Sequence, residues 1–507
     1  MNKTTTNSNP ELLLTAVKLH RLAKFAEARQ LYQQILSTEP NHFDAQHFSG
    51  LIAKQNGQPL QAIALITAAL NSVTGEFNAN HASAFCNLGA AYQDCQQPEL
   101  ALQNYRQALL LKPDYAIAHN NLGNALKNLG NYDEAITSYQ HALRYSPNYP
   151  EALFNYGLTL HLNQQFDEAL ARFEQAIQIK PGYAEAHFAL GNTYQSLRMF
   201  ELALHSYDQS IALKADYAKA YLNRGITLNR LAQYHDAVSD FELAIQHQPG
   251  YAYAYFYLGN SLRQLQKNTE AIAAYLRAEE FGFDQKQVGF ALAALGIGEV
   301  PAAAPVDYVK ELFNQYADHF DTHLVDVLNY DVPKILSGLI DKYRQHDQLT
   351  SVDLGCGTGL CGAYLRPYSR SLTGVDLSQN MLNKAAALNL YDQLVCAELT
   401  EFLSRYTQTA DLIIAADVLL YLGDLNQVFK SISHALNHHG FFCFSVEYAN
   451  EESDYVLRAS NRYAHTENYL RRLAANYGFT ILELARHAGR QENQQDNEAL
   501  VVLLLKE

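Results

Sequence analysis

Residues 351–362 read SVDLGCGTGLCG. One acidic residue, Asp353, stands in an apolar run that leads into glycines at alternate positions: Gly355, Gly357 and Gly359. Working outward, LTSVDLG predicts a short strand that ends in the glycine loop, and TGLCGAYLR a helix start. SLTGVDLS predicts a second strand, and QNMLNKAAAL a helix with Ser378 as its N-cap. DQLVCAEL, DLIIAADVLL and GFFCFSVE read as further strands. Strand alternating with helix gives a mainly parallel sheet covered on both faces. In such sheets a ligand sits at the carboxyl ends of the strands, near the switch point, where this loop falls.

Three readings of the loop compete. A phosphate-binding loop needs GxxxxGK[ST], and no Lys-Ser/Thr pair follows these glycines. A dinucleotide fingerprint needs GxGxxG, and here the third glycine comes one residue early. The spacing GxGxG behind Asp353 resembles motif I of class I S-adenosylmethionine-dependent methyltransferases. That resemblance implies a Rossmann-like α/β domain with S-adenosyl-L-methionine as cofactor. Glycines at 355, 357 and 359 would let the backbone approach it where a Cβ would block. Asp353 would hold the methionine amino group directly or through water, with strand-end hydrogen bonding and no ligand as the alternative. Asp376 ends the second predicted strand, 17 residues after Gly359, and would accept the ribose hydroxyls. Glu398, ending the third predicted strand, would meet the adenine edge. Leu377, Leu399 and Asp417 beside these positions complete the expected cofactor set.

A wider resemblance covers about residues 306–507. YVKELFNQYADHFDTHLVDVLNYDVP (308–333), DLIIAADVLLYLGDL and RYAHTENYLRRLAANYGF are similar to a bacterial family of predicted methyltransferases that carry tetratricopeptide repeats. It implies that the helix around YADHFD closes over the cofactor, with Tyr316 as lid. Phe313, Tyr316, Ala317 and Phe320 also share one helical face, and Phe320 reads better as core. AADVLLYLGD lacks the [DNS]PP[YF] and Pro-Cys signatures of enzymes that methylate nucleic-acid bases. Asp417, Tyr421 and Asp424 stand where an acceptor would enter, with packing behind the site and helix capping as the equal alternative for each. His465 is the remaining candidate base, against a capping or surface role. Arg462 and Tyr463 are candidate substrate contacts.

Ahead of this domain the chain repeats itself. Glycine recurs at 89, 123, 157, 191, 225 and 259, every step 34 residues. Alanine follows each by 12 and an aromatic (Tyr105, Tyr139, Phe173, Tyr207, Phe241, Tyr275) by 16. Pro113, Pro147, Pro181 and Pro249 fall 24 after their glycines. Ala28 and Ala62 mark two earlier units, with a five-residue insertion before the regular array. The pattern resembles the tetratricopeptide repeat. Glycine and alanine let two helices approach, the aromatic fills the seam between neighbouring units, and proline stops the second helix. One helix pair cannot bury its apolar face alone, so the units stack. Asn87, Asn121, Asn155 and Asn223 lie two residues before their glycines. They resemble the asparagine ladder of O-linked N-acetylglucosamine transferases, which would hold a protein or peptide backbone in the groove. The alternative is that these asparagines only solvate or cap it.

Composition bounds the rest. At 507 residues the chain exceeds the roughly 250–300 at which one core stops growing. A formal charge of −15 disfavours nucleic acid, which needs a basic footprint. Six sparse cysteines form neither a disulfide framework nor a metal site. No signal peptide and no run of about 18 apolar residues appears, so a cytoplasmic protein without membrane association is expected. The expected organisation is a disordered 1–8, an α-solenoid of about eight repeats at 9–285, a capping helix and linker at 286–305, and the methyltransferase domain at 306–507. Function divides three ways: a methyltransferase whose repeats recruit the acceptor or a partner, a small-molecule O-methyltransferase whose repeats localise or oligomerise it, and a non-catalytic cofactor-binding scaffold. A domain cut at residue 306 should methylate a small acceptor as well as the full chain, but lose a protein held by the repeats.

Overall fold

The computed structural model describes residues 9–317, 331–492 and 495–507, without the side chains of Gln315, Tyr316 and 488–497. It divides into two compact units, one up to Pro249 and one from Gly250 to Glu507.

The first unit is a stack of antiparallel helix pairs. They are α1 (Asn9–Arg21) with α2 (Phe25–Thr38), α3 (Phe43–Gln55) with α4 (Pro59–Asn71), α5 (Ala82–Asp94) with α6 (Pro98–Leu111), and α7 (Ala116–Asn128) with α8 (Tyr132–Tyr145). Then come α9 (Pro150–Leu162) with α10 (Phe166–Ile179), α11 (Ala184–Ser196) with α12 (Phe200–Leu213), and α13 (Ala218–Arg230) with α14 (Tyr234–His247). The five-residue insertion carries a short 3-10 turn, Ala79–His81. α6, α8, α10 and α14 each stop two residues before Pro113, Pro147, Pro181 and Pro249, because the residue before a proline is pushed out of the helical region.

The ring 16 residues after each glycine has a job within its own pair beside the expected one between pairs. A Cβ at Gly89, Gly123, Gly157, Gly191, Gly225 or Gly259 would meet the ring of Tyr105, Tyr139, Phe173, Tyr207, Phe241 or Tyr275 at 2.6–2.8 Å. Each ring therefore seats on the glycine of its own pair, and rings also reach the next pair: Tyr139 stacks on Tyr156 of α9 with centroids 6.3 Å apart, and the Tyr207 hydroxyl meets Asn223 and Thr227 of α13.

The second unit opens with an eighth pair, α15 (Ala252–Gln264) and α16 (Asn268–Glu280), then α17 (Gln285–Ala293), α18 (Val306–Tyr316) and α19 (Val332–Tyr343). Next come β1 (Leu349–Leu354), α20 (Gly362–Leu365), β2 (Ser369–Asp376), α21 (Gln379–Ala387), β3 (Gln393–Cys396), α22 (Leu399–Arg405) and β4 (Ala410–Ala415). The chain closes with α23 (Asn426–Ala435), β5 (Leu436–Tyr448), β6 (Tyr455–Leu457), β7 (Tyr463–His465), α24 (Glu467–Asn476), β8 (Phe479–Glu492) and β9 (Gln495–Lys506).

β3, β2, β1, β4 and β5 are neighbours in that order and parallel, while β9 runs antiparallel to β5 and to β8. Successive strand residues face opposite layers. Ile413, Phe442, Phe444 and Val502 pack with residues of α23 and α24; Leu412, Ile414, Cys443 and Val501 pack with residues of α19 and α20. Glu447 pairs with both Ala464 of β7 and Ala499 of β9, so β7 takes the side of β5 that β4 occupies farther down and stands beyond the carboxyl end of β4. Among the described residues, no helix is long and apolar enough to cross a membrane.

Candidate active site

β1 lies between β2 and β4, and the order of strands reverses around it. Gly355 follows β1 with φ +65°, and a Cβ there would fall 2.1 Å from Val418 Cγ2. Gly357 has φ +54°, a conformation natural to glycine and strained for most residues. Its N–H donates to Asp376 Oδ2 at 2.9 Å, and Ser378 N–H donates to Oδ1 at 2.8 Å. Asp376 thus clamps the glycine loop to the end of β2. Burial pushes its carboxyl above the usual range, against the pull of the amides of Ser378, Gly357 and Leu377. Ser378 caps α21 as expected, accepting from Met381 N–H at 3.2 Å.

A cavity of about 350 Å³ opens over these strand ends, within the range of small-molecule sites. Of the residues singled out in the sequence, Gly355, Gly357, Asp376, Leu377, Glu398, Leu399, Asp417, Tyr421 and Arg462 line it. Glu398 differs in its local role. β3 ends at Cys396, and Glu398 is instead the N-cap of α22, accepting from Glu401 N–H at 2.9 Å. Asp417 has φ +54°, which Asp tolerates better than most residues. Its N–H donates to Ser445 Oγ at 2.8 Å, and that hydroxyl donates to Asp417 Oδ1 at 2.7 Å. Tyr421 meets the edge of Phe313 at 5.4 Å between ring centroids. Asp424 accepts from Asn426 N–H at the start of α23, the capping alternative.

Other expected residues do not line the cavity. His465 lies in β7, fully buried and stacked on Tyr469. Its Nε2–H donates to Gly423 O at 3.1 Å, and Nδ1 has no partner. Burial pulls its pKa down to about 4. The assignment as a base is therefore corrected: His465 is a neutral core residue. Tyr463 is also core, its hydroxyl donating to Pro301 O at 2.8 Å. Asp353 is buried at the end of β1. Its Oδ2 accepts from the Tyr391 hydroxyl at 2.7 Å, and its Oδ1 is buried without a partner. Gly359 lies against Leu388 and Tyr391. The Tyr316 side chain and all of Phe320 lie outside the described residues.

The cavity also draws on residues that the sequence left unmarked. Ala304, Tyr308, Val418 and Ser460 line it. The turn that carries Ser460 and Arg462 is held from far away: Asn461, with φ +65°, accepts from Arg263 Nη1 of α15 at 2.5 Å and donates to the Tyr308 hydroxyl at 3.0 Å. Arg462 Nε donates to Glu447 Oε1 at 2.5 Å. Phe290 of α17 is buried, with ring centroids 5.4 Å from Tyr308 and 6.3 Å from Tyr463. A separation of 198 residues between Arg263 and Asn461 leaves no signal in a local pattern.

A chain begun at residue 306 would lack Arg263, Phe290 and Ala304. Removing a buried Phe costs about 3–5 kcal/mol, so such a chain should melt roughly 10 °C below one begun at Gly250 and bind ligand more weakly. Equal melting curves for the two would contradict this. The comparison of a 306–507 domain with the full chain therefore cannot isolate recruitment by the repeats; the cut belongs at Gly250.

In the array, the four asparagines are half-buried and bonded to neighbours. Asn87 Nδ2 meets His47 Nε2 at 3.0 Å, and Asn121 Nδ2 lies 3.7 Å from Cys86 Sγ. Asn155 donates to Asn120 Oδ1 at 3.0 Å and Asn223 to Asn192 Oδ1 at 2.7 Å.

Residues 352–442 match a family model described as a methyltransferase domain. Residues 94–130, 114–182, 184–217 and 227–284 match models of tetratricopeptide repeats. A probable S-adenosylmethionine-dependent methyltransferase of Saccharomyces cerevisiae is 25% identical over 29% of this chain and 55% of its own length. A ubiquinone biosynthesis O-methyltransferase of Nitrosomonas europaea is 27% identical over 33% of this chain and 70% of its own. The chain thus spans about half the length of the yeast protein. A solved tetratricopeptide repeat protein from Parabacteroides merdae is 17% identical over 49% of this chain and 96% of its own, with a TM-score of 0.41.

Proposed function

We propose, for a chain in which tetratricopeptide repeats precede a methyltransferase domain, that the second unit transfers a methyl group from S-adenosylmethionine and that the repeats recruit the acceptor or a partner protein. One observation carries this: a glycine loop at the switch point, clamped by Asp376 and bordering a cavity that also receives Glu398.

The residues present fit the cofactor. Gly355 and Gly357 leave backbone where a side chain would intrude. The two carboxylate oxygens of Asp376 accept from backbone amides and, with about four lone-pair sites between them, keep capacity for ribose hydroxyls. Glu398 borders the adenine end, with Leu377 and Leu399 as apolar neighbours. Asp353 stands behind the glycine loop and not on the cavity wall; its Oδ1, buried and unpartnered, fits a counter-ion that a cationic amino group reaches through water. When bound, S-adenosylmethionine supplies a methyl group on a sulfonium centre. The chain's own part is to hold the acceptor in line and to exclude water, which contributes up to about 7–11 kcal/mol in favourable cases. Phe313, Tyr421 and Leu422 form the apolar wall for this. A base is needed only if the acceptor carries a proton that must leave, and Asp417 and Tyr421 are the candidates on the cavity wall.

The test uses tritiated S-adenosylmethionine, the full chain and a lysate of its own cell. Label on a discrete protein that disappears when the chain starts at Gly250 supports recruitment. Label only in small molecules, undiminished by that cut, favours the rival in which the repeats localise or oligomerise the enzyme. No binding of S-adenosylmethionine in calorimetry overturns the reading.

One observation favours the rival: the ladder asparagines already spend their amide nitrogens on one another's surroundings. Replacing Asn121 and Asn155 by alanine should reduce capture of a partner while leaving cofactor affinity alone. Unchanged capture, with only a lower melting temperature of the array, would make the ladder a fastening between helices.

A further inference from the structure

Tyr391 belongs to none of the motifs above. It precedes β3, and its ring lies where three glycines make room. A Cβ at Gly362 or Gly374 would come within 2.8 Å of the ring, and one at Gly359 within 3.3 Å. The third glycine of the loop, which does not line the cavity, thus gives space to Tyr391. The next residue pins the backbone: Asp392 Oδ2 accepts from Leu372 N–H at 2.7 Å and from Arg366 Nη1 at 2.8 Å. With ring and backbone fixed, the hydroxyl reaches Asp353 Oδ2 at 2.7 Å. Oδ1 is left as the carboxylate oxygen without a protein partner.

We infer that Tyr391 is a positioning residue for cofactor binding, holding Asp353 in place and in its ionised form as counter-ion to the cofactor's amino group. This rests on the reading of the pocket as an S-adenosylmethionine site. Among the described residues, the titratable groups around Asp353 are Tyr391, Asp376 of β2, and Cys356 and Cys361 of the glycine loop. None is cationic, and burial holds both thiols well above their ordinary range. Burial pushes Asp353 itself up to about 7, with the Tyr391 hydroxyl as the opposing pull.

The sign follows. A cationic ligand prefers ionised Asp353, so affinity rises with pH through the titration of that carboxyl. It falls again above about 8, as the ligand's own α-amino group loses its proton. Tyr391→Phe keeps the ring and removes the hydroxyl. In calorimetry with S-adenosylmethionine between pH 6 and 9, it should shift the acid limb to higher pH and leave the alkaline limb in place. At pH 7 the expected loss is about tenfold, as for a hydrogen bond to a charged group. A second pair of variants guards against misfolding. Asp353→Asn should abolish the acid limb, and adding Tyr391→Phe to it should cost nothing further, because the two act as one unit. Wild-type binding with an unmoved acid limb in Tyr391→Phe, or additive losses in the double variant, overturns the inference alone. No binding by the wild type overturns the cofactor reading and this inference with it.

Discussion

Gly357→Val should abolish detectable S-adenosylmethionine binding, with a loss of about a hundredfold or more, and leave the array folded. At φ +54° a β-branched residue is strained by about 1–3 kcal/mol. Relaxing that strain turns the peptide plane, and the amide leaves Asp376 Oδ2, now 2.9 Å away. A hydrogen bond to a charged acceptor is worth about 1.5–3 kcal/mol, so the two effects together come to about 2.5–6 kcal/mol, against the roughly 2.7 kcal/mol of a hundredfold change. Calorimetry on the variant measures the loss, and a thermal melt reports whether the fold persists. The first unit, which ends at Pro249, should melt unchanged. Wild-type affinity would sink the argument that the backbone itself forms the cofactor's bed.

Asp376→Ala should weaken binding by about ten- to a hundredfold. Two roles disappear together: acceptance of the ribose hydroxyls, and the clamp on the amides of Gly357 and Ser378. A loss of that size corresponds to the net loss of about one hydrogen bond to a charged group, roughly 1.5–3 kcal/mol, because water can satisfy the freed amides. Asp376→Asn separates the roles, since one amide oxygen can still accept but the nitrogen opposes an N–H donor. An affinity between those of wild type and Asp376→Ala supports both. Unchanged affinity in Asp376→Ala would refute the ribose assignment, whatever happens to the melting temperature.

Much of the fold is legible because its signals are periodic. The first helices of the regular pairs start at residues 82, 116, 150, 184, 218 and 252, the same 34-residue step as the glycines. What periodicity does not tell is that a ring meets two surfaces, the glycine of its own pair as well as the neighbouring pair. At the candidate site, the glycine loop, Asp376 and Ser378 carry local signatures, a close backbone and a helix cap. The sequence pattern places the end of the third strand at Glu398, two residues past its end at Cys396, because a four-residue strand leaves little pattern to bound. His465 looks like a base when read beside Arg462, yet its partner is a carbonyl 42 residues away. Tyr391, Asn461 and Phe290 act through contacts between distant segments, and no neighbour in sequence announces them.

The seating of each ring on its own glycine bears on how such an array can change length. Both halves of the fit lie inside one 34-residue segment. Duplication or loss of a whole segment carries glycine and ring together, so this fit asks no compensating change of the units beside it, although bonds between units such as Asn155 to Asn120 must be met anew. Recombination can thus lengthen or shorten the first unit in steps. The eighth pair and α17 stand outside that freedom: with Arg263 of α15 holding Asn461 and Phe290 of α17 beside Tyr308, they are inherited with the pocket.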